Sequence, residues 1–512
     1  MFRRPARPAT SWTMLVLFAI AGVLPLHGPG AAVLGSESAG PESYNVRSFG
    51  ALGDGKAIDS PAINKAIEAA ALAGGGTVRL PAGNYLCGSI HLQSNIQVLI
   101  DAGAAITGAS DSANAYDAAE EFPGKPYQDG GHSHFHNSLI WGENLSNVTI
   151  SGPGMINGGG LSSSSDRTGN KAICLKLCRN VIIRDITIAH GGWFGILATG
   201  CDNLTIDRIT IDTNRDGMDL DCCRNAIVSN CRVNSPHDDG ICPKSTYALG
   251  EIRITENLTI TNCQVSGFSE GTLLDGTMKG DGGTGRIKFG TESSGGFRNC
   301  TVSNCTFRNC RGLALEEVDG GILEDITISN IAMMNVVDYA IYITAGSRNR
   351  TPNLTTPSRV RNVLISNVVA EGVSKMSGIQ IMGLPDQHID GVRLENIRLI
   401  SRGGGTPADA AIVPKELGDG YPEPGKIGTL PAYGLFARHV DHLELANIAL
   451  SFSASDERPA AVFDDILGLD IDHVSGKVAV GQRVAVIVPN VREVVIRNSP
   501  ALETLAPASG QK

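Results

Sequence analysis

From about residue 144 onward the chain repeats one short pattern, an Asn or Asp followed by alternating aliphatic and polar residues. It reads Asn147-Val148-Thr149-Ile150, Asn180-Val181-Ile182-Ile183, Asn203-Leu204-Thr205-Ile206, Asn225-Ala226-Ile227-Val228 and Asn257-Leu258-Thr259-Ile260. Later copies include Ile326-Thr327-Ile328, Asn362-Val363-Leu364-Ile365, Gly391-Val392-Arg393-Leu394, His442-Leu443-Glu444-Leu445 and Val494-Val495-Ile496. A period of two predicts strands with one buried face, and the intervening Asn and Gly residues supply turns. Asn180, Asn203 and Asn225 are 23 and 22 residues apart. That suits a coil of three short strands, whereas a propeller blade takes about 40 residues. Coils stacked roughly 4.8 Å apart pair their strands in parallel and bury one continuous core. The pattern therefore predicts an all-β fold, a single-stranded right-handed parallel β-helix. Longer intervals, such as Asn225 to Asn257, mark inserted loops, where a solenoid builds its binding surface.

The ends read differently. Asp59-Ser60-Pro61 opens an alanine-rich run that stops at Gly74-Gly75-Gly76, predicting a short helix, capped by Asp59, over the open end of the solenoid. Residues 43–497 are expected to form one domain. The glycine-rich stretch from Arg402 to Gly425 is an irregular excursion, since the strand pattern resumes beyond it, and residues 498–512 read as a polar tail. At the start, Arg3, Arg4 and Arg7 precede a mostly apolar run from Met14 to Leu26 and then small residues. That run falls short of a membrane span of about 20 residues, so residues 1–38 are expected to be a removable signal peptide and leader. The mature chain is then secreted or periplasmic and free of the membrane.

The net charge of -10 over 512 residues is spread along the chain, without the basic arm or stripe that nucleic acid requires. Nucleic acid is thus excluded as a partner, and a monomer is expected. Twelve cysteines in an exported chain permit disulfides, but their scatter is not that of a small disulfide scaffold. Thiols stacked inside the coils are the expected arrangement. No paired cysteines have zinc spacing, so neither a structural metal nor any other cofactor is predicted.

Candidate chemistry lies in two acidic segments, Asn214-Arg215-Asp216-Gly217-Met218-Asp219-Leu220-Asp221 and Pro236-His237-Asp238-Asp239-Gly240. Asp216 and Asp238 are 22 residues apart, about one coil, so both segments should share one patch. Carboxylates held close cannot all ionise freely, since like charge raises the pKa of at least one. That divides the labour glycoside hydrolysis needs, a protonated acid for the leaving oxygen and an ionised partner for water or carbon. The plainer reading is that aspartates decorate the turns of any β-solenoid.

At these residues the chain resembles glycoside hydrolase family 28, the polygalacturonases, which share the pectin-lyase-like solenoid. The resemblance rests on Tyr44-Asn45-Val46-Arg47-Ser48-Phe49-Gly50-Ala51, Gly53-Asp54-Gly55 with Asp59, and Leu80-Pro81-Ala82-Gly83-Asn84-Tyr85. More specific are an Asn-Thr-Asp motif, here Asn214-Arg215-Asp216, and an Asp-Asp motif with trailing Lys-Ser, here Asp238-Asp239 and Lys244-Ser245. The resemblance implies an inverting hydrolase of pectin or a related acidic plant polysaccharide, with Asp238 as general acid and with Asp216 and Asp239 holding water. Inversion requires carboxyls about 6.5–9.5 Å apart. Asn214, His237, Lys244, Arg286 and Lys288 are the candidate substrate-binding residues.

Two departures stand out. The family's His-Gly motif falls near Thr284 to Gly290, which holds no His, and its carboxylate-clamping Arg-Ile-Lys motif falls near Gly312 to Glu316, where Ala314 and Glu316 replace the cations. A reversed charge there is expected to repel galacturonate. Arg286-Ile287-Lys288 lies too early to be that motif and is assigned to a different coil. Trp193 is either a sugar platform or wall packing, and His132, His134 and His136 read as a polar loop over the groove. Two other functions fit the fold. One is a polysaccharide lyase, with Ca²⁺ on the aspartates and Arg286 or Arg311 as base; the other is a glycan-binding β-helix without catalysis.

Overall fold

The computed structural model describes residues 43–503, apart from 123–129, 166, 281 and 355. The expected leader lies outside the described residues. The repeated strands stack as predicted: Val181 pairs in parallel with Val148 on one side and Leu204 on the other, and Ala226 pairs with Leu258 on later coils. The same parallel pairing continues to Arg492–Arg497, making a right-handed parallel β-helix. Alternate residues of each strand turn inward, so Val148, Ile150, Val181, Ile183, Leu204 and Ile206 are fully buried in one core that runs from Val46 to Leu502. Each such side chain contributes about 1.5–3 kcal/mol on leaving water.

The asparagines of the repeat have a second function. Asn147, Asn180, Asn203, Asn225 and Asn257 all adopt left-handed backbone, with φ between 54° and 60°, a conformation that Asn tolerates better than other non-glycine residues. Each donates its side-chain amide to the Asn one coil below: Asn180 to Asn147 at 3.0 Å, Asn203 to Asn180 at 3.0 Å and Asn257 to Asn225 at 3.0 Å. A second ladder runs through Asn304, Asn330, Asn367, Asn396 and Asn447. All twelve cysteines are buried and unpaired, as the scatter implied.

The capping helix spans Ser60–Leu72 and turns Ile63, Ala66, Ile67 and Ala70 onto the first coil, the i, i+3, i+4, i+7 stripe of an amphipathic helix. Asp59 does not cap it. Its carboxylate is buried and accepts instead from the amides of Leu52 and Gly53 at 2.7 and 2.9 Å. The excursion after Arg402 carries two single-turn helices, Pro407–Ala410 and Pro424–Ile427, and packs back on the solenoid wall. Leu430 and Ile427 lie against Tyr339, Tyr342, Met382 and Phe436. Of the expected polar tail, Pro500–Glu503 forms a helical turn with Leu502 buried, and residues 504–512 lie outside the described residues. No helix among the described residues is long and apolar enough to cross a membrane.

Candidate active site

Six short strands, from Ile90–His91 to Asp216–Asp221 and Ile241–Lys244, form a separate parallel sheet on one face. Its last two strands pair Met218 with Ile241 and Asp221 with Lys244. Ahead of them the Gly217 amide donates to the Asp239 carbonyl at 2.9 Å. This register stacks Asp239, rather than Asp238, on Asp216, and brings Asp238 beside Arg215, whose guanidinium it meets at 2.6 Å. Glycine makes the crossing possible. A Cβ on Gly217 would stand 2.3 Å from Val233 and 2.4 Å from the Gly240 carbonyl, so only glycine lets the aspartate before it swing onto the outer face.

One oxygen each of Asp216, Asp238 and Asp239 lies within 4.8 Å of the others. This nearest approach is tighter than the separation of about 6.5–9.5 Å expected for inversion. The three differ sharply in proton affinity. Asp216 is raised well above the usual carboxylate range by burial, then by Asp238 and Asp219. Asp238 is raised by burial and by Asp239, which together outweigh Arg215. Asp239 goes the other way: burial would raise it, but Lys288 and Arg286 hold it well below the usual range.

Those two cations settle where the Arg-Ile-Lys string sits. Lys288 pairs with Ala314 and Ile287 with Ile241, which puts Arg286-Ile287-Lys288 on the coil directly after Asp239 and one coil before Ala314. Arg286 Nε meets Asp239 Oδ1 at 2.8 Å and Lys288 Nζ meets Oδ2 at 2.8 Å. Arg286 is 1% exposed and also reaches Glu423 at 2.9 Å and Glu316 at 3.7 Å, so it lies beneath the cavity as a support for Asp239 rather than on its wall. Glu316 is fully buried and pushed up to about 8 by burial against the pull of Lys288 and Arg286. Burial biases it toward the proton and it does not line the cavity, so no reversed charge stands on the wall against a bound galacturonate.

Asp216 and Asp238 open onto a cavity of about 510 Å³, whereas Asp239 is 1% exposed and off its wall. Asp216, Asp238, Lys244 and Lys288 line it as the motifs implied, together with Arg215, Glu292, Arg350 and Tyr421, which they did not. Lys244 bridges Glu292 at 2.8 Å and Asp219 at 3.7 Å. Asp219 is fully buried and faces His132 at 3.0 Å. The three histidines of the His132 string part company: His134 contacts the Glu120 carbonyl and His136 the Glu143 carboxylate. Tyr421 and Glu423 descend from the excursion, and no local periodicity announces them. Asp212 and Asp221 are buried aspartates at strand ends, satisfied by the backbone amides of Gly271, Leu273, Leu274 and Thr246. Asn214 lines a neighbouring cavity of about 300 Å³ with His190 and Glu270, and His237 is exposed. Trp193 carries the Arg215 guanidinium 3.9 Å above its ring.

Residues 43–269 match the family model described as rhamnogalacturonase A/epimerase, pectate lyase-like. Over 383 residues the chain is 24% identical to a probable polygalacturonase of Vitis vinifera, covering 70% of this chain and 74% of that one. Over 400 residues it is 26% identical to an exopolygalacturonase of Platanus acerifolia, covering 71% and 92%. The chain is thus similar to polygalacturonases, the enzymes of glycoside hydrolase family 28, over about 70% of its length. A hyperthermoactive exopolygalacturonase from Thermotoga maritima superposes with a TM-score of 0.58 at 19% identity, over 82% of this chain and 93% of that one, which shows a common fold.

Proposed function

We propose that this chain is an exported hydrolase of glycosidic bonds in pectin or a related uronate-bearing plant polysaccharide. The observation that carries this reading is three carboxylates within 4.8 Å of one another, Asp239 clamped by two buried cations and Asp216 and Asp238, both biased toward the proton, on the cavity wall. Asp216 and Asp238 then share a proton as a coupled pair, and the competent arrangement has it on Asp238, whose side chain is 26% exposed and reaches the cavity. Asp216 and Asp239 hold the attacking water. A water making two hydrogen bonds of roughly 2.8 Å at a near-tetrahedral angle spans oxygens about 4.6 Å apart, within the observed limit of 4.8 Å. A water held this way beside a separate acid supports an inverted product anomer, while the close carboxylate oxygens make the configuration of the new reducing end the decisive readout.

Four cations line the cavity, and three are already engaged: Arg215 by Asp238, Lys244 by Glu292, and Lys288 by Asp239. The Arg350 guanidinium has no ion pair among the described residues and stands exposed on the same wall. It anchors the uronate carboxylate, the task that Ala314 and Glu316 cannot perform. All of these groups come from one chain, so a monomer suffices.

A lyase is less well supported. Ca²⁺ takes six to eight oxygen ligands, yet both Asp239 oxygens are occupied by cations, Arg286 is buried among three carboxylates, and Arg311 is paired with Glu423 at 2.5 Å. The test is incubation with polygalacturonan, rhamnogalacturonan and their oligomers, with product analysis and proton NMR of the new reducing end. Reducing ends of inverted configuration, without ultraviolet absorbance and indifferent to a chelator, are expected. An unsaturated product would establish elimination, and binding without turnover would establish a lectin-like role.

A further inference from the structure

Next to Arg438 on the strand Leu435–Phe452, three side chains stack at one corner of successive coils: His388, His439 and Asp465. Register fixes the column, because Ile389 pairs with Val440 and Val440 with Ile466. Asp465 Oδ2 meets both rings, at 2.6 Å from His439 Nδ1 and 3.2 Å from His388 Nε2. The far side of each ring also ends on a carboxylate. His388 Nδ1 lies 2.8 Å from Asp441, and His439 Nε2 lies 2.8 Å from Glu416.

All four ring nitrogens thus face carboxylates, yet two neutral imidazoles carry only two N–H donors. With those donors serving Asp441 and Glu416, the inner nitrogens aim lone pairs at the Asp465 oxygen. A cation held among the three satisfies that arrangement. Arg438, the nearest cation to Glu416, stands 4.0 Å from it and is bound by Asp464 at 2.8 Å. Ligating histidines characteristically give their other N–H to a carboxylate, which fixes tautomer and ring direction. Metal bonds of about 2.0–2.1 Å in a tetrahedral site set ligands roughly 3.3 Å apart. The 3.2 Å contact matches that edge, the 2.6 Å contact must open by about 0.7 Å to admit an ion, and the three ligand atoms all lie within 4.8 Å of one another.

We propose that His388, His439 and Asp465 bind one divalent transition-metal ion of the zinc class, with Asp441 and Glu416 orienting the two rings. Two nitrogens and one oxygen select zinc, cobalt or nickel over calcium or magnesium. His388 lies on the wall of a cavity of about 520 Å³, which leaves room for water as a further ligand. The site is five coils from the one bearing Ile241, by the chain of pairings through Ile287, Ala314, Tyr342, Gln380 and Phe436. That is about 24 Å along the axis at ~4.8 Å per coil, so it is separate from the aspartate cavity. A bound ion would tie three coils together and, through Glu416, secure the base of the excursion that delivers Tyr421 and Glu423.

The full chain, stripped of metal by chelation and dialysis, is titrated with Zn²⁺ by calorimetry and with Co²⁺ by visible absorption. One equivalent and the intense bands of low-coordinate, nitrogen-ligated cobalt are expected. His388→Ala and His439→Ala should abolish both. Asp441→Asn, which keeps all three ligands, should weaken affinity about 10- to 100-fold and remains informative if a ligand variant fails to fold. Wild-type protein that takes up neither ion overturns the proposal. So does binding of equal strength in both histidine variants, which would place the ion on the aspartate oxygens instead.

Discussion

Arg286→Met tests whether the low proton affinity of Asp239 matters for turnover. Methionine keeps most of the length, removes the charge and leaves the cavity wall intact, since Arg286 is 1% exposed and lies beneath it. With charge centres about 4 Å apart and an effective dielectric of about 20, one cation stabilises the carboxylate by about 4 kcal/mol. At 1.36 kcal/mol per unit that corresponds to roughly 3 pKa units. Lys288 remains at 2.8 Å, so this figure is a ceiling, and a rise of about 1–3 units is expected. The acid limb of the pH profile of kcat/KM should move upward by that amount, measured by reducing-end release on the natural substrate. Stability should fall as well. Breaking a buried pair costs about 3–5 kcal/mol, and the lower end applies because Asp239 keeps Lys288 and Glu423 keeps Arg311. The sign follows from linkage. A depressed native pKa contributes stability that is fully present above the unfolded value of about 3.9 and is lost as pH falls through the native value. The stability gap between wild type and variant should therefore be widest near neutrality and close in acid. A variant that is destabilised but keeps the wild-type acid limb would refute the argument, leaving Asp239 a purely structural carboxylate.

Three further outcomes are expected. Asp216→Asn and Asp238→Asn should each lower kcat by about 10²–10⁴ with little change in binding, and substrates with a good leaving group should rescue the second variant but not the first. Arg350→Ala should raise KM for uronate-bearing oligomers while sparing kcat, and should leave neutral oligomers unaffected; equal effects on both would remove its assignment as the carboxylate anchor. Asn225→Ala removes a ladder amide and forces alanine into left-handed backbone at φ 54°, so a loss of about 1–3 kcal/mol is expected by chemical denaturation, with activity retained.

The scaffold was legible in the sequence because one physical requirement recurs on every coil. A strand with one buried face writes period two, and a left-handed corner writes Asn, so the pattern alone stacks Val148, Val181 and Leu204. The aspartates were legible for the same reason, though one residue out: the turn between the segments brings Asp239, not Asp238, onto Asp216. Residues outside the repeat left no such signal. Tyr421 and Glu423 come from an aperiodic excursion, Glu292 and Arg350 reach the site from loops, and His132 from a single helical turn, none of which a repeat constrains. Asp59 shows the converse limit. An aspartate before Ser-Pro is chemically suited both to capping a helix and to bracing the loop at Leu52 and Gly53, and only tertiary packing decides between them.

The asparagine ladders have a consequence for how such a molecule tolerates change. Rungs 22 residues apart, as between Asn203 and Asn225, 42 apart, as between Asn257 and Asn299, and 51 apart, as between Asn396 and Asn447, are joined by the same amide contact. Coil height and loop length are therefore independent variables. Lengthening a loop from 22 to 51 residues adds only roughly 0.7 kcal/mol of closure entropy, so a segment such as the one bearing Tyr421 and Glu423 can be exchanged whole while the aspartates stay in register beneath it.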